Sequence, residues 1–155
     1  MKKITSYLLC TCLLRTLLTA CTKKQQDAIA NGLMEADISG SGHYSATDVS
    51  SRLTDNPAFP NKKQLTISSS MGSKTLTIAV VDLDENNPLG TYSFSSTTTH
   101  KAIGGYNSGG GVDDIIITGT LQITTTAAGH LQQGTFSGTT QHGFQITNGT
   151  FSATY

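Results

Sequence analysis

Beyond residue 32 the chain alternates between apolar and polar positions. Met34, Ala36 and Ile38 are separated by Glu35 and Asp37, the period of two that sends one side chain into a core and the next into water. Ser39-Gly40-Ser41-Gly42 then reads as a hairpin turn, and His43 to Leu53 continues as a strand carrying Tyr44 and Val49. Asp55 to Lys62 holds Pro57 and Pro60 and is expected as a loop, because proline cannot donate to a ladder. Leu65 and Ile67 mark the next strand, and Met71-Gly72-Ser73 turns it into one that carries Leu76, Ile78 and Val80. A turn over Asp84 to Pro88 leads to Tyr92 and Phe94, then to Ile103 and Tyr106.

After the loop Gly109-Gly110-Gly111, the positions Ile115, Ile117, Gly119, Leu121 and Ile123 keep one phase. The turn Ala127-Ala128-Gly129 precedes a strand around Phe136, and the last strand holds Phe144, Ile146, Phe151, Ala153 and Tyr155. Its apolar phase slips by one between Ile146 and Phe151. Asn148-Gly149 sits at the slip, where glycine would supply the positive φ of a bulge. Gly119, Gly134 and Gly149 each open a Gly-Thr-apolar-polar tetrad at a spacing of fifteen, about one strand and one turn; the residues between do not repeat, so this is a meander rhythm and not a solenoid. The pattern predicts an all-β domain: a single antiparallel β-sandwich or flattened barrel of about nine short strands in meander order.

Composition agrees with this reading. Among 155 residues there are 25 threonines and 16 serines; threonine is β-branched, suits a pleated surface and keeps the outer face wet. Ten basic residues balance ten acidic ones. That argues against a nucleic-acid partner, which needs a basic excess to displace counterions.

The first twenty residues follow another pattern. Lys2 and Lys3 precede an apolar run, Tyr7 to Leu18, interrupted by Arg15, and Leu18-Thr19-Ala20-Cys21 closes it. This is the shape of a secretory signal, too short to span a bilayer as a helix. The last four residues resemble the lipobox of bacterial lipoproteins, in which the cysteine thiol carries diacylglycerol and the chain is cut just before it. The expected organisation is therefore a lipoprotein signal peptide over 1–20, a polar tether over 21–32 and an antiparallel β domain over 33–155. Lys24 to Asn31 has room for one short helix, ended by Gly32.

Cys10 and Cys12 belong to the discarded leader, so Cys21 is the single cysteine left and no internal disulfide forms. Loss of Lys2, Lys3 and Arg15 leaves seven basic and ten acidic residues, so attachment rests on acyl chains and not on charge, at about 0.8 kcal/mol per buried methylene. The expected partner is the lipid bilayer, through acylated Cys21. Thr22 and Lys23 follow the cysteine, where Asp would resemble an inner-membrane retention signal; the resemblance implies the outer membrane, with the periplasmic or surface face left open.

The opening Met34-Glu35-Ala36-Asp37-Ile38-Ser39-Gly40 with Tyr44-Ser45-Ala46, and the closing Gly134-Thr135-Phe136-Ser137-Gly138 with Ile146-Thr147-Asn148-Gly149-Thr150-Phe151-Ser152, resemble a family of small Bacteroidetes-type β-rich lipoproteins of unknown function. The resemblance spans residues 33–155. It implies an all-β fold and supplies no catalytic residues.

The nearest approach to a metal site is Asp82-Leu83-Asp84-Glu85-Asn86-Asn87. Asp82, Asp84 and Asn86 match the first three ligands of a calcium loop, but Asn87 stands where that loop needs glycine and Ser93 where it needs glutamate. A polar hairpin turn closed by Pro88 accounts for the same residues. His43, His100, His130 and His142 show no ligand spacing. No G-x-S-x-G elbow is present. Glu35 and Glu85 read as solvated. Asp113-Asp114 reads as a like-charge pair or as edge charges that deter sheet pairing, and no motif joins nucleophile, base and orienting group. No cofactor is implied. The expectation is a non-enzymatic, membrane-anchored binding or structural module of the cell envelope. The alternatives are a small-ligand carrier with a lipocalin-like barrel cavity and, below it, carbohydrate binding through Tyr44, Tyr92 or Tyr106, or a hydrolase.

Overall fold

Residues 32–95, 100–127 and 130–155 are described by a computed structural model. The leader, Cys21 and the short helix expected over Lys24 to Asn31 lie outside the described residues. Ten strands form: β1 (Leu33–Ile38), β2 (Gly42–Ala46), β3 (Asp48–Asp55), β4 (Lys63–Met71), β5 (Lys74–Leu83), β6 (Gly90–Ser93), β7 (Ala102–Asn107), β8 (Asp114–Ala127), β9 (Leu131–Thr140) and β10 (Gln145–Thr154). The strand pairings are antiparallel. Nine strands lie on one path, β2-β1-β10-β9-β8-β7-β5-β4-β3, while β6 pairs with β8 to one side. The order is a meander that β1 interrupts by pairing with β10.

The two ends of this path nearly meet. β2 and β3 are joined by Thr47 alone, so the strand expected from His43 to Leu53 is two strands that turn a corner. The Ser51 hydroxyl on β3 donates to the Thr154 carbonyl on β10 at 2.5 Å, bridging the remaining seam. The result is an almost closed barrel. β8 forms its other corner. Ile115 and Asp114 pair with β7, Thr120 to Ile123 pair with β6, and Phe94 fills the opening between. There is no room for a side chain at Gly104, where an added Cβ would lie 2.9 Å from Ile116 Cδ1 and 3.1 Å from Phe94 Cε1.

The interior is filled with side chains. Met34, Tyr44, Leu65, Ile67, Leu76, Ile78, Phe94, Tyr106, Leu121, Ile123 and Ile146 are buried almost completely. Such burial is worth about 1.5–3 kcal/mol for a large aliphatic or aromatic side chain. The Tyr44 hydroxyl meets Ser69 Oγ at 2.9 Å inside this core, so its polar end is satisfied where water is excluded.

Two expectations about phase are corrected. Ile115 and Ile117 face outward, 56% and 49% exposed, whereas Ile116 is buried with Leu121 and Ile123. The β8–β9 register shifts between Ile116 and Thr118, and that bulge inverts the alternation before Leu121. In β10 the register shifts between Ile146 and Gly149 as expected, but Asn148 takes the positive φ, at 52°, as asparagine tolerates. Gly149 serves another purpose: its bare Cα lets the Phe136 ring lie against the strand, within 2.8 Å of where a Cβ would stand.

At one end of the barrel the hairpin turns are stitched together. The Ser41 hydroxyl shares a 2.5 Å hydrogen bond with the Tyr106 hydroxyl and accepts from Lys74 Nζ at 2.9 Å. Tyr106 also stands edge-on to Phe144, with ring centroids 5.7 Å apart. Tyr106→Phe keeps the packing and removes one hydrogen bond between hydroxyls, so it is expected to lower unfolding free energy by about 1 kcal/mol. Urea titration of the two proteins measures this difference.

Candidate functional site

The opposite end carries a rim pocket of about 280 Å³, lined by Lys62, Asp82, Asp84, Asn87, Leu89, Gly90, Thr91, Tyr92 and His100. It forms where Asp82, near the end of β5, and Asp84, just past it, meet the loop after β3. Asp82 and Asp84 flank the buried Leu83, so the period of two sets both carboxylates on the outer side. The loop is pinned by Asn56, whose side-chain amide donates to the Val81 carbonyl. Lys62 thereby reaches Asp84, with Nζ 3.0 Å from Oδ2.

Protein donors hold both carboxylates. Asp82 accepts from the backbone N–H of His100 at 2.5 Å and of Lys101 at 2.7 Å. Asp84 accepts from Lys62 and from the backbone N–H of Asn86 at 3.1 Å; the Lys62 hydrogen bond is the chief reason its carboxyl lies below the ordinary value. Tyr92 forms the inner wall. Its hydroxyl donates to the Pro88 carbonyl at 2.9 Å, and its ring meets His100 edge-on at 5.9 Å. Burial, followed by the charges of Asp82 and Asp84, pushes the phenol up to about 12, so it stays neutral at any physiological pH.

This placement bears on the calcium expectation. Asp82 and Asp84 come together as the spacing implied, but Asn86 lies in the turn beyond, and its backbone N–H is what reaches Asp84. The Lys62 ammonium pairs with Asp84, and two backbone N–H groups donate to Asp82. Among the described residues no group of three or more His, Cys, Asp or Glu is placed to hold a metal ion. The pocket is a mixed set of hydrogen-bond acceptors and donors beside one exposed aliphatic side chain, Leu89.

The remaining candidates disperse. Tyr44, Tyr92 and Tyr106 are 1%, 3% and 1% exposed, so none offers a ring face on which a sugar could stack. Glu35 accepts from Ser45 on the neighbouring strand at 3.1 Å, and Glu85 lies 3.8 Å from Lys63. His43 bonds Asp37 at 2.8 Å on an exposed face. His130 meets the Tyr155 ring at 5.0 Å.

Asp113 and Asp114 are neither a like-charge pair in one site nor matched edge charges. Asp113 is exposed and accepts from Asn107 at 3.2 Å. Asp114 is 7% exposed, and it accepts from Thr140 Oγ1 at 2.5 Å and shares a 2.9 Å hydrogen bond with His142 Nδ1. The sequence separation of 28 between Asp114 and His142 hides this pair from any reading of local spacing. Held by Asp114, the exposed His142 ring stands at the β9–β10 turn, and among the described residues no serine or cysteine hydrogen-bonds either side chain. No family model matches the chain, and comparison with curated proteins and with solved structures finds no match.

Proposed function

We propose that the protein is a lipid-anchored, non-enzymatic binding or structural module of the cell envelope, held at the outer membrane through Cys21. One structural observation carries most weight. Large side chains of the described residues are buried in the barrel interior, which favours a reading in which the outer surface and the rim pocket make the contacts. The lipobox-like Leu18-Thr19-Ala20-Cys21 gives that surface a location, and the polar residues after it give it a tether. The rim pocket favours contact over chemistry: its carboxylates are engaged by Lys62, His100 and Lys101, and its phenol is bonded to Pro88.

Labelling cells with radioactive palmitate tests the anchor. The expected result is a labelled band that Cys21→Ala abolishes, with the unlabelled variant retained at full length. An unlabelled parent, or a variant labelled equally, would remove the anchor from the account.

A further inference from the structure

We infer that the β7–β8 face of the barrel rests on the bilayer, so that the domain sits on the membrane with one side down and does not swing freely. The inference depends on the anchoring just proposed and adds an orientation to it. On the outward side of these strands Ile103, Ile115 and Ile117 are 43%, 56% and 49% exposed, and Val112 in the glycine-rich loop is 76% exposed. The three isoleucines line one groove of about 230 Å³ together with Phe94 and Lys101. Other outer faces of this barrel are built differently. The outer grooves across β3–β4 and β8–β10 are lined mainly by serine, threonine, glutamine and asparagine. The other exposed large apolar residues, Phe59 and Leu89, lie singly in separate loops, so three exposed isoleucines sharing one groove, with exposed Val112 in the loop just before β8, are a local concentration.

Size and position argue for lipid as the occupant. Four partly exposed aliphatic side chains fall well short of the roughly 800 Å² per partner that a stable protein interface needs. A second copy of this chain or another globular partner would need more. A bilayer asks for less, because tethering raises the effective concentration of the surface. From Cys21 to Gly32 the chain extends at most about 40 Å, roughly the diameter of a domain this size, so every face lies within reach and a weak preference sets the orientation. Charge agrees in part: Lys101 borders the groove and suits lipid phosphates, while Asp113 beside Val112 is occupied by the Asn107 side chain. Aliphatic residues at a loop tip and along an adjoining face are the arrangement that seats a domain at the depth of the headgroups.

The chain contains no tryptophan, so a single introduced indole reports its own depth. Val112→Trp places the probe in an open loop where no packing is lost, Ile117→Trp places it in the groove, and Ser50→Trp on β3 serves as the distant reference. Each mature acylated protein is reconstituted into phosphatidylcholine vesicles whose acyl chains are brominated near the headgroup. Quenching at positions 112 and 117 is expected to exceed that at position 50 about threefold. Equal quenching at all three positions in protein that floats with the vesicles would overturn the orientation while leaving the anchor intact. Protein that fails to float with the vesicles at all would overturn the anchor and this inference with it.

Discussion

Gly134→Ala is expected to cost the barrel about 3 kcal/mol or more, a very large effect for a single methyl group. Gly134 lies on β9 between Ile123 of β8 and Phe151 of β10. A Cβ there would overlap the Gln122 carbonyl oxygen and stand 2.7 Å from two carbons of the Phe151 ring. The ring can shift at the expense of core packing, but the carbonyl belongs to the β8–β9 ladder and yields only if the register breaks. Glycine is therefore fixed by close approach, and the aromatic ring lying across it covers the exposed backbone. Gly110→Ala is the matched control. No atom stands within 4 Å of its Cβ position and its φ is not in the left-handed region, so the variant should equal the parent or gain a few tenths of a kcal/mol. Denaturant unfolding of the two variants should give a midpoint that falls sharply for the first and stays for the second; equal midpoints would show that β9 is not packed as described.

Asp114→Ala is the second large effect, expected at about 3 kcal/mol near neutral pH. The buried carboxylate accepts from Thr140 Oγ1, from the His142 backbone N–H and from the His142 ring, and Thr140 Oγ1 in turn accepts from the Phe144 backbone N–H at 3.0 Å. Removal leaves the donors of the β9–β10 turn without an acceptor, and that turn holds Phe144 against Tyr106. Burial by itself pushes the Asp114 carboxyl upward. The hydrogen bonds from Thr140 and His142 outweigh it and hold the group below its ordinary value of 3.8.

The sign of the pH effect follows. A carboxyl depressed in the folded state contributes fully above its unfolded value and loses that contribution as pH falls through the folded one. The parent should therefore lose stability faster than Asp114→Ala below about pH 4, and the gap between them should narrow in acid. Asp37, Asp55 and Asp84 are depressed too, but they are exposed, where solvent weakens each ion pair, and they remain in both proteins. A gap that widens in acid would contradict this role.

Much of the fold could be read along the chain because a barrel wall needs the same period of two that its sequence carries. Met34, Ala36 and Ile38, or Leu76, Ile78 and Val80, announce their inward face without any knowledge of partners. The reading failed where backbone irregularity carries the information. A bulge after Ile116 shifts two isoleucines to the outside, and a one-residue corner at Thr47 divides what looks like one strand. Neither leaves a mark in hydrophobicity. The candidate site was legible only in part. Asp82, on β5, and Asp84, just past its end, share a face because they are two apart in extended chain, but Lys62 and His100 join them through chain crossings that no local spacing encodes. Asp114 and His142 were hidden for the same reason, and adjacency to Asp113 suggested an electrostatic pair where burial and hydrogen bonding separate the two.

A membrane-anchored module needs acyl chains at position 21, and the mass of the mature amino-terminal peptide tests this most directly. Protein extracted from its native membrane and digested should yield a peptide that begins at Cys21 and carries the added mass of a diacylglyceryl group, with or without a further acyl chain on the amine. A peptide that retains the residues before Cys21, or that begins there with a free thiol, would contradict the anchored module proposed above.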